Sequence, residues 1–88
     1  MNSDPIVAKV KDVLAEQSKL DAVRDMPLST TLRDDIGLDS MATLTFLIVL
    51  EDVIDGFSID ANTLASSDVE TIGSICNYVR ERLGVAVS

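Results

Sequence analysis

The chain has 88 residues, one cysteine (Cys76) and no histidine. That length fits one small domain spanning residues 1–88, excludes an intramolecular disulfide and leaves a zinc site without its usual ligands, so a reducing, cytoplasmic setting is expected. The net charge is −8, and no Lys or Arg lies between Arg33 and Arg80, a window holding Asp34, Asp35, Asp39, Glu51, Asp52, Asp55, Asp60, Asp68 and Glu70.

A nucleic-acid binder needs the opposite sign, so that class is excluded. The acidic middle suits partners with basic docking surfaces, or serves solubility alone. The N-terminus lacks the basic start and apolar block of a signal peptide. The longest uninterrupted apolar run, 46–50, is far short of the roughly 20 residues a membrane span needs.

A first helix is predicted from Asp4 as cap and Pro5 as first residue, where a missing N–H costs nothing. Ile6, Val7, Val10, Val13, Leu14 and Gln17 share one side at helical spacing, while Lys9, Lys11, Asp12 and Glu16 take the other. The helix should fade over 18–20, with one further turn available up to Arg24. Residues 25–39, DMPLSTTLRDDIGLD, form a long connection broken by Pro27, Gly37 and a Ser-Thr-Thr cluster. Leu28, Leu32, Ile36 and Leu38 recur through it and should pin it to the core.

A second helix starts with Asp39 as cap and meets no breaker before Gly56. Thr43, Phe46, Leu47, Leu50 and Ile54 make a core stripe. Met41, Leu44 and Ile48 make a second apolar stripe, rotated away from the first. A small helical domain has little room to bury both, so the second is a candidate partner surface; ordinary core is the alternative. Phe57 and Ile59 suggest a short extended piece, and ANTLASS, 61–67, one brief helical turn. The last helix is expected to start at Ser67 or Asp68, with Glu70 and Thr71 in its first turn. Val69, Ile72, Ile75, Cys76, Val79 and Leu83 recur along it, and Gly84 ends it. The tail VAVS is expected to be loose. The fold class is all-α: a small helical bundle of three main helices plus one short helix, with a long loop between helices one and two.

Ser40 sits at the mouth of the second helix in the stretch DDIGLDSM. A catalytic serine needs a base within reach. Without histidine a Ser-His-Asp triad is impossible, and Lys9, Lys11 and Lys19 are expected to face solvent on the first helix. GLDS also lacks the strand–turn–helix frame of a nucleophile elbow. A bundle with three aromatic residues leaves little room for a substrate pocket, so no catalytic residue is assigned. As an attachment point Ser40 is better placed, because a first helical turn offers free N–H groups and a partial positive charge to a phosphate. Serine is also common at helix starts for purely structural reasons.

The motifs in order, Gly37-Leu38-Asp39-Ser40-Met41, then Leu50-Glu51, then Thr71, Ile72, Ile75, Tyr78 and Val79, resemble the phosphopantetheine-dependent acyl and peptidyl carrier proteins over essentially the whole chain. The resemblance implies a 4′-phosphopantetheine arm attached to Ser40 by a phosphopantetheinyl transferase, with Asp39 helping that enzyme place magnesium and coenzyme A. It implies a docking face of Met41, Leu44 and Ile48 with Glu51, Asp52 and Asp55 as its charged rim. The partners it implies are acyl- or aminoacyl-loading and condensing enzymes with basic surfaces, met by a monomer that binds neither nucleic acid nor membrane. Acyl intermediates would be shuttled as thioesters in a polyketide, fatty-acid or related pathway. An aminoacyl carrier of a nonribosomal peptide pathway is the alternative within the family; a small acidic helical interaction domain is the alternative outside it. Two departures stand out. The turn VIDGFSID is about one residue longer than the family pattern. Thr45 falls where fatty-acid carriers often place an acid, which favours a secondary-metabolite pathway at least equally.

Overall fold

A computed structural model describes residues 5–60, 62 and 64–84. Three α-helices carry the fold: α1 (Pro5–Ser18), α2 (Ser40–Val53) and α3 (Ile72–Leu83). Three short turns join them, a 3₁₀ turn at Asp21–Asp25, a π turn at Leu32–Ile36 and a 3₁₀ turn at Ser66–Val69. No strand is present among the described residues; Thr31 and Thr71 form an isolated antiparallel bridge. The all-α expectation holds, with more short turns than expected in the first loop. The predicted Asp4 cap and the VAVS tail lie outside the described residues.

Helix α1 ends as its sequence suggests. The Ser18 hydroxyl donates to the Leu14 carbonyl at 2.7 Å, Lys19 turns left-handed at φ 60°, and the Leu20 N–H closes on the Ala15 carbonyl. The added turn then covers Val23, which is fully buried. Helix α1 packs against both α2 and α3 through Val10, Val13 and Leu14. Phe46, Leu47, Leu50 and Ile54 of the α2 side and Ile72, Ile75, Cys76, Tyr78 and Val79 of α3 complete the core. Each large side chain so buried contributes about 1.5–3 kcal/mol. Phe57 joins this core and meets the Tyr78 ring edge-on, centroids 6.2 Å apart.

Three sequence expectations need correction. Helix α3 does not begin at Ser67 or Asp68. Those residues form their own 3₁₀ turn, in which the Asp68 carboxylate accepts from the Ala65 N–H at 2.9 Å. Glu70 and Thr71 sit outside α3 because their backbone pairs with the first loop: the Leu32 N–H donates to the Glu70 carbonyl, and the Ile72 N–H to the Thr30 carbonyl, each at 3.1 Å. Thr71 is the cap of α3 instead. Its Oγ1 accepts from the Ser74 N–H, and the Ser74 Oγ accepts from the Thr71 N–H.

Leu28 does not enter the core; its side chain stays exposed, and its carbonyl holds the loop by accepting from the Gly73 N–H at 2.8 Å. Lys11 does not face solvent freely. Its ammonium reaches the Met26 carbonyl at 2.7 Å and the Arg24 carbonyl at 3.5 Å, tying α1 to the loop.

Gly73 is where the loop comes closest to α3. A Cβ there would lie 3.2 Å from the Leu28 carbonyl oxygen and 3.3 Å from the Leu28 Cβ, and that carbonyl is already held by a hydrogen bond. Gly73→Val should therefore destabilise the fold by about 1–3 kcal/mol, the usual cost of overpacking. Urea unfolding followed by circular dichroism measures it, and a midpoint equal to wild type would show that the loop yields freely.

Candidate functional site

The chain approaching Ser40 is built from reciprocal short-range bonds. The Thr31 Oγ1 accepts from the Asp35 N–H at 3.1 Å, and the Asp35 carboxylate accepts from both the Thr31 N–H and its hydroxyl, at 2.9 and 3.1 Å. Leu32, between them, and Ile36, just after, are buried in the core. Gly37 then takes φ 91°, a left-handed conformation that side chains resist, and the Leu38 N–H turns back onto the Leu32 carbonyl at 2.8 Å. Leu38 is buried. With core anchors on both sides of Gly37, the following Asp39 and Ser40 are delivered to the surface in one orientation.

Asp39 caps α2 through its side chain: Oδ1 accepts from the Ala42 N–H at 2.8 Å, while its carbonyl accepts from the Thr43 N–H. Ser40 is the first residue of the helix and is exposed. Its hydroxyl makes no hydrogen bond to any described residue, and the Ser40 and Met41 N–H groups are likewise without a partner among them. Two open donors at the positive end of a 14-residue helix suit an anion attached to that hydroxyl.

A cleft of about 640 Å³ opens beside Ser40, a feature the size and aromatic content of the chain did not lead one to expect. Leu32, Leu38, Leu44, Leu47, Leu64 and Val69 supply its apolar lining. Residues of the Leu32–Ile36 turn, the first turns of α2 and the Ser66–Val69 turn form its walls.

The second stripe of α2 is exposed. Met41 is 72% accessible, Leu44 50% and Ile48 53%, against 0% for Phe46 and Leu50 on the opposite face. Three large apolar side chains one turn apart, all at least half in water, rule out an ordinary core role for them. Asp52 and Asp55 are exposed at the far end of α2. Glu51 is half-buried, and its Oε2 accepts from the Ile59 N–H at 2.8 Å, so this acid also secures the stretch after Gly56. That stretch is further held by the Asp60 N–H donating to the Tyr78 hydroxyl at 3.0 Å.

Cys76 lies on the buried face of α3, fully covered. Burial pushes its thiol up to about 11, against a smaller opposing pull from the Lys11 charge, so it is a protonated core side chain at neutral pH. Arg33, which in the sequence marks only one end of the acidic window, lines the same cleft as Ser40. The local signal for it was slight, since nothing about a single Arg in a loop marks the groove that folding creates beside it.

A fixed Gly-Leu-Asp-Ser turn, a serine presented at a helix N-terminus and an apolar helix face beside it are the arrangement expected from the resemblance to carrier proteins. Comparison with known families agrees: the family described as Phosphopantetheine attachment site matches residues 8–79, and the chain belongs to it. It is a phosphopantetheine-dependent carrier protein, whose prosthetic group is covalently bound 4′-phosphopantetheine. Among curated proteins it is similar to the acyl carrier protein of Clostridium acetobutylicum, 28% identical over 75 residues that cover 85% of this chain and 92% of that one. No solved structure matches it significantly. No helix among the described residues is long and apolar enough to cross a membrane.

Asp39→Ala removes the side-chain N-cap of α2. It should cost about 1 kcal/mol of stability, measured by thermal or urea unfolding, while Asp39→Asn should cost clearly less because the amide oxygen still accepts from Ala42.

Proposed function

We propose that this chain is an acyl carrier whose prosthetic arm is attached at Ser40. The observation that carries the reading is the free, exposed Ser40 hydroxyl on the first turn of α2, inside a chain that belongs to the phosphopantetheine-attachment family. The bound arm supplies a terminal thiol on which cargo is held as a thioester.

The chain's own residues have four tasks. Ser40 provides the hydroxyl and is not a catalyst, since the sequence holds no histidine to serve as its base. Asp39 holds the first turn of α2 rigid and stands next to the attachment point, where it assists a phosphopantetheinyl transferase. Met41, Leu44 and Ile48 offer a continuous apolar contact along α2, with Glu51, Asp52 and Asp55 as acidic flank. Enzymes with basic docking surfaces are the matching partners: charge speeds encounter, and a short apolar strip keeps each complex brief. A carrier that visits several enzymes needs both.

Acyl cargo is favoured by the likeness to an acyl carrier protein. Within that class, Thr45 on the exposed face of α2 leaves one acid fewer in the docking strip, which supports a polyketide or related pathway beside fatty-acid synthesis. A cytoplasmic, monomeric carrier domain is the setting this reading takes.

Incubation with coenzyme A and a broad-specificity transferase should add one phosphopantetheine mass to wild type and none to Ser40→Ala. An unmodified wild type under conditions that modify a control carrier would refute the assignment.

Ile48→Glu should lower turnover by partner enzymes at least tenfold while leaving the circular dichroism melt within a few degrees of wild type. The side chain is 53% accessible, so the added charge costs the fold little. Partner turnover equal to wild type would remove Ile48 from the docking strip.

A further inference from the structure

The cleft beside Ser40 has three acids in its lining, Asp34, Asp39 and Glu70, and one base, Arg33. No ion pair joins these acids to Arg33 among the described residues. The Asp39 carboxylate is committed to the Ala42 N–H, and the Arg33 guanidinium makes no ion pair or hydrogen bond with any described residue.

That is unlike the other arginines of the chain. Arg24 is paired with Asp12 and Asp21; Arg82 donates from Nε to the Ser58 carbonyl; Arg80 donates to Asn77. Lys11 is spent on the Met26 carbonyl. Arg33 thus lines the groove that Ser40 borders and carries a guanidinium with no partner among the described residues, in a chain of net charge −8.

Its backbone is not free to drift. Arg33 lies in the π turn between Thr31 and Gly37, closed by the Thr31–Asp35 reciprocal bonds and by Leu32, whose N–H reaches the Glu70 carbonyl and whose carbonyl receives the Leu38 N–H. The charge is long-armed, but its base is fixed relative to Ser40.

We propose that Arg33 is a positioning residue for the phosphodiester that joins the arm to Ser40, an inference that rests on the attachment reading above. The open N–H groups at the start of α2 favour a phosphate there without choosing a direction for it. Arg33 breaks that symmetry: it draws the diester to the cleft side, away from Met41, Leu44 and Ile48, and offsets the acids that would otherwise repel it. Guanidinium geometry, with its paired donors, suits two oxygens of one phosphate better than an ammonium does.

The test uses the full chain in apo and holo forms, with the arm on Ser40 first verified by mass spectrometry. Two NMR signals are read: the Arg33 Nε–Hε resonance and the ³¹P resonance of the diester. The Arg33 signal should shift between apo and holo wild type. The ³¹P signal should move in Arg33→Gln toward that of the same diester on a short Ser-containing peptide, with Arg33→Lys falling between, and about 1 M salt should reduce the wild-type difference. Amide spectra of the variants verify that the fold is kept. An arm on Ser40 with both signals unmoved overturns this proposal alone. A shift of Arg33 that occurs only after a dicarboxylic cargo is loaded also overturns it, assigning the charge to cargo. Failure to find the arm on Ser40 overturns the attachment reading, and this one with it.

Discussion

The mouth of α2 stays where it is because the chain leading to it is stitched to the start of α3. Leu28 to Gly73, Thr30 to Ile72 and Leu32 to Glu70 are three backbone hydrogen bonds between segments some forty residues apart in sequence. They turn a long connection, which by length alone should wander, into a fixed approach to Ser40. Close packing at Gly73 and the Lys11 contacts to the loop's carbonyls add to the same restraint. Loosening it would leave the Asp39 cap intact and yet move the hydroxyl it presents.

Against that fixed frame, the charges divide their work by location. Acids at Asp35, Asp39 and Asp68 each accept from a backbone N–H and so belong to the architecture, and Glu51 does the same from its half-buried place on the acidic flank. Asp52 and Asp55 stay in water and remain available to a partner. Counting acids would have treated these two groups alike, and only their hydrogen bonds separate them. Exposed acids of the second kind contribute little to stability, so their placement along α2 is open to selection for encounter.

Much of this was readable beforehand where the cause is local. Asp39 as a cap, Gly37 as a breaker before α2 and the two stripes of α2 follow from short-range chemistry and helical spacing, and each stands in the structure. Gly84 ends α3 in a left-handed turn for the same reason. What escaped was decided by distant partners. Glu70 and Thr71 look like a helical first turn until the first loop claims their backbone. Leu28 looks like a core anchor, but its carbonyl serves that purpose and its side chain does not. Lys11 reads as a solvent-side base, although the loop folds back over it. The cleft has no sequence signature at all, because its walls come from three separated segments.

The placement of Cys76 carries a further meaning. A carrier tethers a reactive ester to itself, where any thiolate on the same molecule would compete for the cargo at a high effective concentration. The single cysteine of this chain is sealed in the core and held in its neutral form. If cargo rides on the arm as a thioester, as proposed, this thiol offers no acceptor for misdirected exchange.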